Sequence, residues 1–247
     1  MRDGELVLLL SENYSHVFQV AREKVNTADG WIDLGEMKKK EFGDTIKSST
    51  GRVFRIVRPT ILDILRKRVK RSAQVMLPKD IASIIANTGI ASDSLIVDAG
   101  TGTGYLTIFM AKLLPKSIIV TYEADKEFFK NAQKNIRAAD LWNVKIKNKD
   151  VTKGIQEKNV DLVTLDLKNS GLAVKHAYKA LKDGGWLCVY SPTVDHLIKI
   201  TKVLKKFEFG EFKIIENIER EWQSVKTVRP KTMGMMHTGF LTFARKI

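Results

Sequence analysis

The chain has 247 residues, 44% of them hydrophobic, and a formal charge of +14 from 42 Lys and Arg against 28 Asp and Glu. That excludes a disordered or fibrous chain, leaves room for one large domain or for a core of ordinary size with a small companion, and favours a polyanionic partner, nucleic acid first. One cysteine, Cys188, excludes a disulfide framework, and with neither a signal-peptide pattern nor an apolar run of the ~20 residues a membrane helix needs, the expected location is the cytoplasm.

Residues 1–63 break into short β-like runs (5–10, 16–20 and 51–57) separated by Asp29-Gly30, Gly35, Gly43-Asp44 and Gly51. Strands this short with turns this frequent predict a small barrel or sandwich. Lys38, Lys39 and Lys40 fall on one of its turns, as a solvated face or an RNA-facing loop. Pro59 closes the module. Residues 64–87 then read as a basic helical linker to a third segment, 88–247. Between Ile64 and Lys79 stand Arg66, Lys67, Arg68, Lys70, Arg71 and Lys79 with no acid among them, a candidate phosphate-binding stripe. Pro78-Lys79-Asp80, just ahead of a new apolar period, marks a helix start.

Leu95-Ile96-Val97 is an apolar run ending in Asp98, followed by Gly100, Gly102 and Gly104 and then an apolar helical stretch. This is a strand, a tight turn and a helix N-terminus, with glycines where the backbone takes positive φ or approaches a ligand. A second apolar run ends in Glu123, about 20 residues on, where nucleotide-binding βαβ units place the carboxylate that takes the ribose hydroxyls. Glu123 is the expected ribose anchor, the plain alternative being a solvated acid. Asp150 and Val151 follow a short strand at 143–147. The run 160–165 delivers Asp166, while Asp161, one residue into it, reads as a cap or surface residue. Helices at 125–139, 169–181 and 193–206 alternate with a strand at 185–190, and runs at 211–218 and 237–244 close the chain. The expected fold is α/β, a doubly wound, mostly parallel sheet with an antiparallel edge pair, preceded by a small N-terminal β-barrel-like domain. The spacing G-x-G-x-G argues against a nicotinamide dehydrogenase, whose turn reads G-x-G-x-x-G.

The stretch from Asp98 to Thr107 resembles motif I of the class I methyltransferases that use S-adenosylmethionine (SAM). It stands in order with Arg71-x-x-Gln74-x-x-x-Pro78-Lys79-Asp80, Tyr122-Glu123, Asp166, Tyr190-Ser191-Pro192, Arg229-Pro230-Lys231 and His237-Thr238-Gly239. Together these are similar to the TrmI family of tRNA (adenine-N1)-methyltransferases, which act on the T-loop adenine at tRNA position 58, over essentially the whole chain. The resemblance implies the Rossmann-like class I fold, SAM as cofactor with S-adenosylhomocysteine as its product, tRNA as partner and a homotetramer, while His16, His176, His196 and His237 form no H-x-x-H or H-E-x-x-H arrangement, so no metal is expected. It also implies cofactor contacts from Gln74, Asp98, Gly100, Gly102, Thr103, Gly104, Tyr105, Leu106, Thr107, Glu123, Asp150, Val151 and Asp166. Where the family often carries an aromatic residue or histidine before Pro-Lys-Asp, this chain has Leu77.

Adenine N1 already holds an in-plane lone pair, so such a transfer needs positioning and electrostatics rather than a metal or a covalent intermediate. Asp166, at the end of a parallel strand, is the expected catalytic carboxylate, accepting a hydrogen bond from the exocyclic amino group as positive charge develops on the base. The alternative for Asp166 is a helix N-cap. A flipped-out base needs a stacking surface, for which Tyr190 is the candidate against the alternative of a core tyrosine. Two other functional classes remain. A catalytically silent tRNA-binding subunit would show an eroded glycine turn or a missing acid, and this chain shows neither. A methyltransferase for a protein or small molecule is disfavoured by the basic linker and the N-terminal module.

Overall fold

The structure is a computed structural model that describes residues 1–12, 14–70, 74–223, 227–231, 234 and 236–247. The chain divides into two compact units, residues 1–70 with 138–140, and residues 71–137 with 141–247.

In the first unit, β1 (Leu6–Leu10), β2 (Ser15–Gln19), β5 (Thr45–Lys47) and β6 (Val53–Val57) form an antiparallel sheet in the order β2-β1-β6-β5. Alternation decides which face is buried, with Phe54 and Ile56 inside and Val53 and Arg55 outside. The inner face is covered by the hairpin of β3 (Lys24–Thr27) and β4 (Gly30–Asp33) and by the 3₁₀ turn Leu34–Lys39, which contribute Ile32, Leu34 and Met37 to the core. Lys38 and Lys39 sit in the last turn of that 3₁₀ segment, where Lys38 pairs with Asp3 at 2.7 Å. Helix α1 (Ile61–Lys67) starts with a capping box, the Thr60 hydroxyl accepting from the Asp63 amide while the Asp63 carboxylate accepts from the Thr60 amide. The helical stretch expected as one linker thus divides, with α1 in the first unit.

The second unit opens with α2 (Pro78–Thr88), which has Pro78 in its first turn and Gly89, left-handed at φ +61°, as its cap. There follow β7 (Leu95–Ala99), α3 (Tyr105–Leu113), β8 (Ile118–Tyr122), α4 (Lys126–Ala138), β9 (Val144–Lys147), β10 (Val160–Leu165), α5 (Ser170–Ala180), β11 (Leu181–Ser191), α6 (Val194–Leu204), β12 (Phe209–Glu216), β13 (Trp222–Gln223), β14 (Arg229–Pro230) and β15 (Phe240–Lys246). The large sheet has the order β12-β15-β11-β10-β7-β8-β9. All neighbours from β11 through β9 are parallel, and β15 runs antiparallel to both β11 and β12. Its strands pack Val97, Val163 and Val189 against Val174 and Ala177 of α5 and Ile200 of α6. This is the class I methyltransferase architecture, with the expected antiparallel edge.

Strand β11 begins four residues earlier than the pattern indicated. The register jumps from Val160↔Leu181 to Leu162↔Trp186, so residues 182–185 form a bulge within the strand. The ribbon of β13 and β14, two residues a side, had no periodicity to announce it. Among the described residues, no helix is long and apolar enough to cross a membrane.

Candidate active site

The strand order reverses between β7 and β10, and ligands of such sheets bind in the crevice outside the carboxyl ends of the strands at that point. The loop after β7 is the glycine turn, with Gly100, Gly102 and Gly104 at φ +91°, +54° and +81°. Gly100 is needed for a second reason, since a Cβ there would stand 2.0 Å from the Asp166 carbonyl oxygen. The Asp166 amide donates to the Ala99 carbonyl at 2.8 Å. The last residue of β10's run is therefore held against the first residue of the turn.

Asp98 lies beneath that turn rather than in the crevice. It is 1% exposed; its Oδ2 accepts from the hydroxyls of Thr107 at 2.7 Å and Thr121 at 2.9 Å, and its Oδ1 from Thr164 at 2.7 Å. Both oxygens are committed, so Asp98, expected among the cofactor contacts, instead ties β7 to α3, β8 and β10. Burial raises its pKa, with the three hydroxyls opposing. The side chains of Tyr105, Leu106 and Thr107 are likewise buried, which leaves the main chain as what this stretch can offer a ligand. Thr103 is buried too, its carbonyl accepting from Asn135 Nδ2 at 2.8 Å and its hydroxyl without a partner among the described residues.

Glu123 sits at the turn as expected. Its Oε2 accepts the Gly102 amide at 2.8 Å and its Oε1 the Asp125 amide at 3.0 Å, while Asn148 Nδ2 donates to its carbonyl at 2.8 Å. Asp150 caps the 3₁₀ turn Val151–Lys153, its Oδ1 accepting from the Thr152 amide at 2.9 Å and hydroxyl at 2.7 Å. Those bonds, the hydroxyl's first, hold its carboxyl below the usual range. Val151 belongs to the core beneath. Asp161 is structural, accepting the Leu95 amide at 2.7 Å and pairing with Lys182.

Asp166 differs from these carboxylates in accepting no hydrogen bond from any described residue. Burial, reinforced by the charge of Asp98, pushes its pKa up to about 7. The N-cap of α5 is Asn169, so the helix-cap alternative for Asp166 falls away. Asp166 and Tyr190 line one cavity of about 510 Å³, with Lys168, Thr193, His196 and Lys199 around them. Tyr190 is buried at that wall, its hydroxyl donating to the Thr238 carbonyl. Burial first, then the charges of Asp166 and Asp80, push its pKa up to about 12. Leu77 lines a separate cavity of about 740 Å³, together with Arg229 and Lys231.

Gln74 is exposed and joined to the others by none of these bonds, and it directly follows residues 71–73, so Arg71 lies outside the described residues. Lys79 leaves the expected basic stripe. Its ammonium turns inward to Asp80, the Asn217 carbonyl at 2.6 Å and the Thr238 hydroxyl at 2.7 Å. Arg66 and Lys67 are exposed as expected, and Arg68 donates to Gln19 at 3.1 Å. Sequence reasoning missed Thr121 and Thr164, each the one threonine of a mostly apolar strand, which is the signal that could have found them. Asn217 and Thr238 as partners of Asp80 carried no such signal.

The family model described as the tRNA methyltransferase complex GCD14 subunit matches residues 65–236. A tRNA (adenine(57)-N(1)/adenine(58)-N(1))-methyltransferase TrmI of Methanocaldococcus jannaschii is 37% identical over 90% of this chain and 89% of its own length. The tRNA (adenine(58)-N(1))-methyltransferase TrmI of Thermus thermophilus is 28% identical, covering 83% of this chain and 81% of its own. A solved SAM-dependent O-methyltransferase of Thermotoga maritima superposes with a TM-score of 0.85 at 28% identity, over 100% of this chain and 94% of that one. The glycine turn, the acid that closes on it and the matched span place this chain in the family of the tRNA methyltransferase complex GCD14 subunit.

Proposed function

We propose that this chain transfers a methyl group from SAM to N1 of adenine 58 in the T-loop of tRNA, and to adenine 57 as its archaeal relative's name states. The observation that carries this reading is the contact at Gly100, where the main chain of Asp166 abuts the glycine turn while its carboxylate accepts no hydrogen bond from the described residues. A turn of three left-handed glycines, with open space beside Gly102, fits a cofactor held by main-chain amides. The main chain from Gly100 to Thr107 would hold SAM, with Glu123 at its ribose, Asp150 and Val151 at its adenine and Gln74 at its methionine half. SAM supplies an electrophilic methyl on a sulfonium.

The chain's own part is orientation and charge. Asp166 accepts a hydrogen bond from the exocyclic amino group of the acceptor base, aims N1 and stabilises the positive charge that develops on the ring. Tyr190 offers a ring for the flipped base, and Arg66 and Lys67 contact phosphates. The chain works in the cytoplasm as a homotetramer. Its outermost strand, β12, supports the assembly, since Phe212 and Ile214 stand 43% and 41% exposed on an unpaired edge of a kind proteins cover.

The test is incubation with labelled SAM and unmodified tRNA, digestion to nucleosides, and fragment mass analysis to locate the product. N1-methyladenosine at position 58 is expected. Asp166→Ala should keep SAM affinity within a few-fold and lose about 10²- to 10³-fold in single-turnover rate. Binding of tRNA with no product from the wild type would make this a silent subunit.

A further inference from the structure

A second polar cluster, largely buried, lies in the same unit. Asp80, in the first turn of α2, is 0% exposed. Its Oδ1 accepts Asn217 Nδ2 at 3.0 Å, its Oδ2 accepts the Thr238 hydroxyl at 2.8 Å, and the Lys79 ammonium stands 3.1 and 3.3 Å from the two oxygens. Lys79 spends its other donors on Thr238 Oγ1 and the Asn217 carbonyl. Ser83 completes the cluster by donating to Asn217 Oδ1 at 3.1 Å. A buried ion pair is weak evidence for stability, because apolar residues of similar volume often serve as well, so its role is sought in what it orients.

It orients Thr238. That residue's hydroxyl is gripped by an anion and a cation while its carbonyl accepts the Tyr190 hydroxyl. The next residue, Gly239, packs against the hydroxyl end of Tyr190, where a Cβ would come within 2.5 to 2.7 Å of three side-chain atoms. The ring beside Asp166 is thereby clamped at its hydroxyl and crowded at that end by Gly239.

We propose that Lys79, Asp80 and Thr238 are positioning residues for the acceptor base. They touch neither SAM nor the base, and act by fixing the angle of the Tyr190 ring so that a stacked adenine meets Asp166 with its amino edge. The proposal rests on the methyl-transfer reading above. Small misplacements of this kind are expensive in rate, about 10²-fold for 1 Å.

The experiment is single-turnover methylation of tRNA at saturating SAM, with SAM affinity and melting temperature measured on the same preparations. Thr238→Val keeps the shape and removes the hydroxyl; it should slow transfer about 10- to 100-fold with SAM affinity unchanged within threefold, and Thr238→Ser should restore the rate to within threefold. Gly239→Ala, which crowds the ring without touching the ion pair, should slow it comparably. In a Tyr190→Ala background Thr238→Val should have no further effect on rate. The same rate penalty with and without the tyrosine ring, or a Thr238→Val rate equal to wild type, overturns the positioning role. A wild type that makes no methyladenosine overturns the methyl-transfer reading and the proposal with it, an outcome visible before any variant is compared.

Discussion

Two buried carboxylates, Asp80 and Asp98, are kept in opposite ways. Asp80 faces a cation and polar partners drawn from distant parts of the chain, Asn217 and Thr238. Asp98 has no cation within hydrogen-bond reach among the described residues and rests on three threonine hydroxyls from the elements nearest it. An ion pair anchors firmly but fails badly when halved, whereas a ring of hydroxyls can rotate to suit a changed partner. Asp98 also exports its charge, which is part of what lifts the pKa of Asp166.

The comparison is broken most severely by Asp80→Ala, which leaves the Lys79 ammonium buried without its counter-ion. Chemical denaturation should show a loss of about 3 to 5 kcal/mol. Replacing both, as Lys79→Met with Asp80→Leu, should recover most of that stability, because no charge stays buried. The rate of methyl transfer should not return with it.

Glu123 stands between the two extremes, half-buried and accepting two main-chain amides. Glu123→Ala should weaken SAM binding by about 1.5 to 3 kcal/mol, read by calorimetry. Equal affinities would remove it from the site. Asp98→Asn is milder. The amide oxygen still accepts and the hydroxyls can turn to accept from its nitrogen, so a stability change of about 1 to 2 kcal/mol is expected in the same denaturation experiment.

The smallest effect is the most diagnostic. Asp166 has a folded pKa of about 7, above that of an unfolded aspartate, so the folded chain holds its proton over a window where the unfolded chain has lost it. Its contribution to stability is therefore full at acid pH and is lost as pH rises from about 4 to about 7. The carboxylate form is the one that accepts the amino group, so kcat/KM should fall on the acid side with a midpoint near pH 7 in the free enzyme. Asp98→Asn removes a neighbouring charge and should move that midpoint to lower pH. A midpoint that stays put would uncouple the two residues.

Most of the sheet was legible because β7, β8 and β10 are short, mostly apolar runs with a helix behind them, as 160–165 shows without error. The start of β11 was not, because Gly184 and Gly185 look like a turn and are a bulge. Gly185 fits there since a Cβ would crowd the Val160 carbonyl at 2.8 Å. In the site, Gly100, Glu123 and Asp166 could be picked from their places after strands. Asp98 had an equally good place, and nothing in its neighbours along the chain says that three hydroxyls reach it from other elements. Lys79 misled for the same reason. A run of basic residues carries no mark of which one turns inward, and its partners Asn217 and Thr238 lie 138 and 159 positions away.

The clearance at Gly100 sets a limit on how the crevice can vary. With the Asp166 carbonyl filling the space of a missing methyl group, the spacing between the two loops is a property of the backbone, as fixed as a bond length is in a rigid template. Side-chain changes cannot stretch it. Adaptation to a different acceptor must then come from side chains that line the cavity beside Asp166, such as Thr193, His196 and Lys199, while the contact between the two loops keeps one gauge.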